Sequence, residues 1–239
     1  MKKVALITGA SGDIGQAITK SLASSFSILY LHYHRNQQAI EQLIKMLPTD
    51  VQCIPVQSDL SKPNGVSRLM EQVIHPIDCM IYNSGNSYYG LVTDMTQEEI
   101  EEMVQLHTTS PFLLSQKILP AMIQKQSGKM VVISSVWGIV GASCEVLYSM
   151  VKGSQISFVK ALAKEVAPSG ITINAVAPGA IDTKMLNTFS KEEKEVLKEE
   201  IPAGRLGTTK DVSEAVAFLI SEKANYINGQ VLSVNGAWF

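Results

Sequence analysis

The sequence predicts an α/β fold, with a parallel sheet of about seven strands and helices on both of its faces. First, short apolar runs alternate along the whole chain with longer stretches whose apolar residues recur at helical spacing. Second, the first apolar run ends in a glycine-rich turn that opens a helix. Third, no linker or repeat divides the 239 residues, and 46% apolar residues are enough for one sizeable core. We therefore expect a single, doubly wound domain over residues 1–239.

The elements follow one another in strict alternation. Strands are predicted at residues 3–8, 27–33, 51–56, 77–82, 129–134, 171–176 and 230–234. Helices are predicted at 13–25, 37–47, 63–74, 97–126, 145–167 and 209–221. The fourth helix should bend at Pro111, because proline has no N–H to donate. The polar stretch at 182–205 is predicted to be a flap over a site, since one more helix and strand follow it.

Composition excludes several classes of protein. The net charge is −2 and the basic residues are dispersed, which argues against a nucleic-acid surface. The apolar run near the N-terminus is too short for a signal peptide, and no run approaches the ~18 residues that span a membrane. The three cysteines, Cys53, Cys79 and Cys144, are widely spaced, which argues against disulfides and a metal site. We expect a protein of a reducing compartment, the cytoplasm.

The candidate chemistry lies in the stretch from Ser135 to Lys152. Tyr148 and Lys152 are four residues apart, so one helix face can present both side chains. Lowering the pKa of a tyrosine from ~10 to ~7 requires about 4 kcal/mol. A cation ~5 Å away contributes about 3 kcal/mol at an effective dielectric constant of ~20. The pair can therefore form a proton donor that works near neutral pH, although Tyr-x-x-x-Lys alone is a weak pattern.

The glycine-rich turn, TGASGDIG at 8–15, directly follows the first strand. Glycines there let the backbone approach a pyrophosphate, and the helix N-terminus offers N–H groups and a positive dipole. The alternative is a tight strand–helix turn that binds nothing. Asp13 stands inside this turn and is expected to cap the helix, or to weaken pyrophosphate binding unless it turns away.

Together these motifs resemble the short-chain dehydrogenase/reductase family over the whole chain. The matching pieces are TGASGDIG at 8–15, Asp59, YNSG at 82–85, Ser135, Tyr148, Lys152 and INAVAPG at 173–179. The thirteen-residue spacing from Ser135 to Tyr148 is also that of the family. The resemblance implies a single-domain Rossmann fold, an NADP-dependent oxidoreductase acting on CH–OH/C=O groups, and a homotetramer.

The resemblance also implies a role for each matching residue. Those expected to bind the cofactor are Gly9, Ser11, Ile14 and Gly15 at the pyrophosphate, Asp59 and Leu60 at the adenine, Asn83 and Gly85 at the ribose, and Pro178, Gly179, Ile181 and Thr183 at the nicotinamide. Ser135 would polarise the substrate carbonyl, and Tyr148 would donate the proton. Lys152 would lower the pKa of Tyr148 and bind the nicotinamide ribose.

Comparison with the family pattern also bears on the cofactor and on a fourth catalytic position. The end of the second strand carries no acid to bind the 2′-hydroxyl of NAD, and Arg35 there can pair with a 2′-phosphate. NADPH is therefore predicted over NADH, the alternative being that Arg35 is an exposed loop residue. His107 occupies the place of the family's catalytic asparagine, which holds a water that links the lysine to solvent. A neutral histidine can donate and accept, so His107 either replaces the asparagine or is a packed core residue.

The sequence is compatible with two interpretations of what the substrate is. PAGRLG at 202–207 and the ending YINGQVLSVNGAWF resemble 3-oxoacyl-(acyl-carrier-protein) reductases, although the basic patch that would dock an acidic carrier is thin. LYLHYHRN, GNSYYGLVTDM and SVWGIVGASCEVLYSMVKG resemble a side branch that reduces a 5-aminopentanone group on a lysine of elongation factor P. Either way a protein presents the ketone, with Tyr88, Tyr89 and Trp137 at the entrance. The third hypothesis is that the protein is a non-catalytic nucleotide-binding regulator.

Overall fold

The computed structural model describes residues 3–239, apart from the side chains of residues 187 and 188, and its seven strands form one parallel sheet. The strands are β1 (Val4–Ile7), β2 (Ile28–Tyr33), β3 (Gln52–Gln57), β4 (Cys79–Tyr82), β5 (Gly128–Ile133), β6 (Ile171–Pro178) and β7 (Val231–Val234). Their order across the sheet is β3-β2-β1-β4-β5-β6-β7. This confirms the α/β class predicted from the alternating pattern.

Helices cover both faces of this sheet. They are α1 (Asp13–Leu22), α2 (Gln37–Lys45), α3 (Gly65–Met70), α4 (Gln97–Val104), α5 (Ser110–Lys125), α6 (Trp137–Val140), α7 (Val146–Val166), α8 (Lys191–Glu200) and α9 (Thr209–Ile220). Helices α1, α2 and α9 pack on one face, while α3, α5 and α7 pack on the other. Strand β1 serves both cores, because Ala5 and Ile7 face the first and Val4 and Leu6 the second. A strand buried on both faces is apolar throughout, which is why residues 4–7 read VALI.

The strand order places the candidate site. The chain runs outward from β1 through β2 to β3, then crosses back to β4 on the other side of β1. Ligands of open α/β sheets bind at such a reversal, outside the carboxyl ends of the strands. Residues 8–15, 32–35, 83–86, 134–135 and 178–179 all lie at this edge.

The fourth predicted helix, 97–126, is not continuous. Helix α4 ends at Val104, a π-helical segment covers Gln105–Thr109, and α5 begins at Ser110. The distortion therefore falls just before Pro111 instead of at it. Because Pro111 has no N–H, the carbonyl of His107 lacks the partner that an α-helix would provide four residues later. The predicted helix at 63–74 is also shorter, with α3 covering only Gly65–Met70.

The charge-rich segment at 182–205 contains helical structure that the sequence prediction left out. A 3-10 helix covers Lys184–Thr188, and α8 follows. Ser190 and Glu193 form a capping box at the start of α8, with 3.1 Å from the Glu193 N–H to the Ser190 hydroxyl. A serine followed three residues later by glutamate is the sequence signal for this helix. A backbone bridge between Ile181 and Gly207 closes the base of the segment.

Two negative findings concern the described residues. Within 3–239, none of the helices combines the length and the apolar character that a membrane crossing needs. The same part of the chain brings together no group of three or more histidine, cysteine or acidic side chains that could hold a metal ion.

Candidate active site

Ser135, Tyr148 and Lys152 come together as the sequence predicted. Ser135 is the second residue after the end of β5, while Tyr148 and Lys152 lie in the first two turns of α7. The Lys152 Nζ lies 5.5 Å from the centre of the Tyr148 ring. Ser135 is buried, and its hydroxyl accepts a hydrogen bond from the backbone N–H of Trp137 at 3.2 Å. Three of the four side chains predicted to be catalytic therefore lie together at the carboxyl ends of the strands.

Lys152 is buried, with 4% of its surface exposed. Its Nζ donates to the carbonyl of Ile133 at 2.8 Å and to Oε1 of Gln155 at 3.3 Å. Burial lowers the pKa of this ammonium from 10.5 to about 7, because desolvation penalises the charged form. Lys152 is therefore poised to change charge near neutral pH.

The pKa of Tyr148 moves in the opposite direction from the one predicted. Burial raises the pKa of the phenol well above its usual value, the nearby Glu145 carboxylate raises it further, and the Ser135 hydroxyl opposes the rise. Lys152 was expected to lower this pKa, but its Nζ is directed to Ile133 and Gln155. The expected net lowering of this pKa is wrong, because burial outweighs any stabilisation of the phenolate by Lys152, and the phenol carries its proton throughout the neutral range.

His107 lies in the π-helical segment and is fully buried. Its Nε2 lies 3.2 Å from Oδ1 and 3.3 Å from the backbone N of Asn86, and its ring meets Tyr148 edge-on at 5.9 Å. A Cβ on Gly85 would lie 2.7 Å from the His107 ring, which explains the glycine there. Burial, and then the charge of Lys152, lower the pKa of His107 well below its usual value. The ring is therefore a neutral, packed residue that makes no hydrogen bond to Lys152.

The glycine turn is braced from two sides. Gly9 has φ +63°, in the region that favours glycine, and its N–H donates to Nδ1 of His32 at 3.1 Å. The Asn83 side chain donates to the carbonyls of Thr8 and Gly9 at 3.2 and 3.1 Å. A Cβ on Gly15 would lie 2.2 Å from the Gly9 carbonyl oxygen, so α1 can approach the turn only with glycine there. Asn83, predicted to line the ribose, thus uses its amide to support the turn.

His32 is a site residue that the sequence reasoning did not single out. It is buried at the end of β2, with its Nε2 at 3.0 Å from the carbonyl of Ser58. Since Nδ1 accepts from Gly9, Nε2 must carry the proton, and the ring is neutral. Burial lowers the pKa of His32 from 6.5 to about 4. The ring thereby ties the glycine turn to the chain just before Asp59.

The adenine-side residues have different environments. Arg35 is exposed in the turn after β2, and His34 beside it lies 3.5 Å from the Asp59 carboxylate. Asp59 also accepts from the N–H and the hydroxyl of Ser61 at 3.0 and 2.7 Å. The Leu60 side chain is buried in the core, so only its backbone is available at this edge.

Asp13 does not cap α1, contrary to the sequence expectation. The N-cap residue is Gly12, without a side-chain bond, and Asp13 is the first helical residue. Its carboxylate accepts a hydrogen bond from the backbone N–H of Lys184 at 2.7 Å. The acid therefore points to the start of the 182–205 segment, which leaves the first turn of α1 with Ser11, Gly12 and Ile14 partly accessible.

The residues at and after the end of β6 form the side of the candidate site that lies across from the glycine turn. The Pro178 carbonyl accepts from Val136 at 3.0 Å, and the Gly179 N–H donates to Val234 at 3.0 Å. The Ile181 side chain is buried in the core, and the Thr183 hydroxyl donates to the Ile181 carbonyl at 3.2 Å. The four residues predicted at the nicotinamide are thus contiguous with the glycine-turn edge, with Ile181 contributing backbone only.

The entrance carries aromatic side chains and one acid. Trp137 packs against Trp238 and Phe239, with ring centres 5.0 and 5.3 Å apart. Tyr89 is exposed, whereas Tyr88 packs in the small apolar cluster that includes Tyr148. Half-buried Glu145 is the N-cap residue of α7, three residues before Tyr148. Burial raises the pKa of its carboxyl, and the Trp137 side chain opposes that rise.

These residues fit a dinucleotide that carries a phosphate on its adenosine ribose. Space for a pyrophosphate exists at Gly12, because a Cβ there would meet only the Gly9 carbonyl oxygen, at 3.5 Å. The exposed Arg35 supplies a cation at the end of β2, where an acid would exclude the extra phosphate.

Fold and site together define an oxidoreductase that binds a dinucleotide at the switch point of its sheet. A family model described as enoyl-(acyl carrier protein) reductase matches residues 9–237. The chain belongs to the short-chain dehydrogenase/reductase family, in its 3-oxoacyl-(acyl-carrier-protein) reductase-like group.

Similar proteins span the chain from end to end. It is 53% identical over 240 residues to an uncharacterized oxidoreductase, YmfI, of Bacillus subtilis (strain 168), covering 100% of this chain and 99% of that one. It is 37% identical to the 3-oxoacyl-[acyl-carrier-protein] reductase FabG of Aquifex aeolicus (strain VF5), covering 99% and 97%. The crystal structure of the angucycline C-6 ketoreductase LanV with bound NADP matches with a TM-score of 0.91 and 27% identity, covering 98% and 94%.

Proposed function

We propose that this protein is an NADPH-dependent reductase that converts a ketone presented by a protein into a secondary alcohol. The observation that carries the proposal is the position of the Tyr148 phenol, with Ser135 and Lys152 beside it, at the same sheet edge as the glycine turn. The 3-oxoacyl-carrier-protein reductases among its relatives support a carbonyl substrate, as does the NADP-bound ketoreductase. The single domain over residues 1–239, the flap at 182–205 and the cytoplasmic location remain predictions.

The charge states define how these side chains act. NADPH, when bound, supplies the hydride that reaches the carbonyl carbon. The Ser135 hydroxyl donates to the carbonyl oxygen, where negative charge develops. The Tyr148 phenol is protonated at neutral pH, so it can act as the general acid that donates its proton to that oxygen. The buried Lys152 ammonium then stabilises the phenolate that remains.

Tyr148→Phe tests this mechanism. The phenyl ring keeps the packing in the small cluster with Leu147 and Val151 but has no proton to give. We expect turnover to fall at least about a thousandfold, the upper range for a general acid. The NADPH dissociation constant should change little, which fluorescence titration measures. Full turnover in this variant would contradict the proposal.

A specific observation favours elongation factor P over an acyl-carrier protein as the presenting partner. In the described part of the chain, Glu145 makes no ion pair, although it is half-buried beside Tyr148 and Trp137. A carboxylate with aromatic neighbours suits a substrate that carries an ammonium group, such as a 5-aminopentanone. The same carboxylate repels an acidic carrier.

Parallel NADPH-oxidation assays separate the candidates. The substrates are acetoacetyl-carrier protein, elongation factor P bearing the 5-aminopentanone on its lysine, and an enoyl thioester, because the matching family model is described as an enoyl reductase. We expect turnover of the modified elongation factor and little of the thioesters. Turnover of acetoacetyl-carrier protein alone would assign the protein to the 3-oxoacyl-reductase reading. Tight NADPH binding without turnover of any substrate would favour a non-catalytic regulator.

A further inference from the structure

Gln155 is a buried polar residue next to Lys152 that no family motif includes. Its side chain is 1% exposed, on the stretch of α7 where the neighbouring Val151 and Val159 are apolar core residues. Its Oε1 accepts from the Lys152 Nζ at 3.3 Å, and its Nε2 donates to the His107 carbonyl at 2.9 Å. The amide therefore bridges the lysine to the π-helical segment.

The His107 carbonyl is available because of the chain around it. In an α-helix the N–H of residue 111 would bond to it, but proline occupies that position. In the π-helical segment the Ser110 N–H bonds instead to the Gln105 carbonyl. A buried carbonyl without a donor is costly, so an amide NH₂ from α7 is a stabilising partner for it.

The orientation of the amide is fixed by its two neighbours. An ammonium only donates and a carbonyl only accepts. Reversing the amide would place its NH₂ against the Lys152 ammonium and its oxygen against the His107 carbonyl, which are two repulsive contacts. Gln155 therefore presents its oxygen to the charged form of Lys152.

We propose that Gln155 is a positioning residue that holds the Lys152 ammonium in its charged form and in place through this bridge. The amide fills the space between Lys152 and the π-helical segment, and neither of its polar atoms gains or loses a proton near neutral pH. The bridge therefore favours the charged form of Lys152 against the cost of burial, and its amide carries no proton along this side.

Few titratable groups face Lys152. Tyr148 faces it from its own helix and His107 from the π-helical segment, while β5 presents only the carbonyl of Ile133. Burial shifts the pKa of Tyr148 upward and that of His107 downward, so both stay neutral near pH 7. A change of charge at this site near pH 7 is thus the titration of Lys152, whose pKa burial lowers to about 7.

The test measures NADPH binding against pH, which requires no ketone. The inference rests on one part of the proposed function, namely that Lys152 contacts the bound NADPH. Binding should weaken as the pH rises through the pKa of Lys152, because the charged lysine binds better. Gln155→Met should move this midpoint down by about one pH unit and weaken binding near pH 7.5 about tenfold, since a hydrogen bond to a charged group is lost.

Two further variants make the test sharp. Gln155→Glu has the same size but places a negative charge beside the ammonium, so the midpoint should move up. Ser154→Ala is the matched control: it removes a 2.7 Å hydrogen bond to Thr108 between the same two elements without touching Lys152, and its midpoint should equal that of the wild type.

A midpoint that stays the same in Gln155→Met and Gln155→Glu would overturn the inference, however much either variant loses in thermal stability, because a packing role shifts no titration. If Gln155→Met does not fold, Gln155→Glu decides alone. A protein that binds NADPH but reduces no ketone refutes the proposed function and leaves this measurement intact.

Discussion

At the scale of single residues, burial favours the uncharged form of the side chains around the candidate site. It lowers the pKa of Lys152 and His107 and raises that of Tyr148. Lys152 differs from the other two because it has two acceptors within hydrogen-bonding distance, the Ile133 carbonyl and Gln155. These acceptors favour the charged form against the cost of burial. The chemistry of the site thus depends on which buried groups have partners for their charge.

Glu145→Gln tests the charge of the entrance. The variant keeps the size of the side chain but loses the carboxylate beside Tyr148. We expect kcat/KM for a ketone that carries an ammonium group to fall about tenfold, and kcat/KM for acetoacetyl thioester to stay equal or rise. Steady-state NADPH oxidation measures both. Glu71→Gln, an exposed acid after α3, is the control and should change neither. Equal losses on both substrates would contradict recognition of an ammonium.

Arg35→Ala tests the choice of cofactor. The exposed guanidinium at the end of β2 is the cation predicted to pair with the 2′-phosphate. Its removal should raise the dissociation constant of NADPH about tenfold, with that of NADH unchanged. Calorimetric titration with both nucleotides gives the ratio. Lys45→Ala removes a cation from the far end of α2 and should alter neither constant. An unchanged NADPH affinity in Arg35→Ala would assign Arg35 to the solvated loop.

The positions of site residues that belong to a motif with fixed spacing are predicted from the sequence better than the positions of site residues outside any motif. Ser135, Tyr148 and Lys152 follow from their spacing, because the strand end and the helix face together determine where these side chains lie. The place of His107 opposite the family asparagine stays a prediction, and the direction of its ring depends on the π-helical segment, which has no sequence signature of its own. Gln155 was missed, although a polar residue three positions after Lys152 on an apolar helix face was a usable signal.

At the scale of elements, His32 joins three chain segments that are far apart in sequence. Its ring connects the turn after β1 to the chain after β3, and it reaches Ser84 after β4 at 3.4 Å. The bond from Gly9 requires a neutral ring with its proton on Nε2, because Nδ1 must accept, whereas the bond to the Ser58 carbonyl requires only that Nε2 carries a proton. The geometry of the glycine turn therefore depends on the charge of one histidine.

Acid should destabilise the protein through His32. The folded-state pKa is about 4 and that of a free histidine is 6.5, so between these values the unfolded chain binds the extra proton. Stability is therefore complete above pH 6.5 and is lost as the pH falls toward about 4, by roughly 3 kcal/mol for this group. His107, whose pKa burial also lowers, adds in the same direction.

Urea denaturation at pH 7 and pH 4.5 measures this effect. His32→Gln should be less stable at pH 7 but lose less between the two pH values. His34→Gln, which removes a neighbouring histidine with 43% of its side chain exposed, should lose as much as the wild type. An identical acid response in His32→Gln and the wild type would show that His32 is not responsible.

At the scale of the whole molecule, the exposed apolar side chains include some on α5 and on β7. Phe112 on α5 is 57% exposed and meets Phe158 of α7 with ring centres 6.1 Å apart. Leu232 is exposed on β7, the edge strand of the sheet. Apolar side chains exposed on α5 and on β7 suit two different interfaces, as a tetramer with dihedral symmetry requires. We propose the homotetramer that the family resemblance implies.

Light scattering after size exclusion tests this assembly. We expect a particle of four 26.0 kDa chains for the wild type. Phe112→Asp should reduce it to dimers, because a charge in the centre of an apolar interface is costly to bury. Met46→Asp changes a 64% exposed residue after α2 and should leave four chains together. A monomeric wild type at micromolar concentration would refute the tetramer.

The central place of β1 in the sheet has a consequence for synthesis on the ribosome. Residues 4–7 leave the exit tunnel before both of their partners and soon pair with β2, but their second neighbour, residues 79–82, is made more than seventy residues later. The Thr8 hydroxyl likewise has no hydrogen bond from the N–H groups of Asn83 and Ser84 until those residues have been synthesised. Until then a nascent chain presents an apolar strand with one open edge, the feature that invites aggregation. A translation stall before β4 should therefore leave a fragment that depends on chaperones, whereas a stall after β4 leaves β1 paired on both sides.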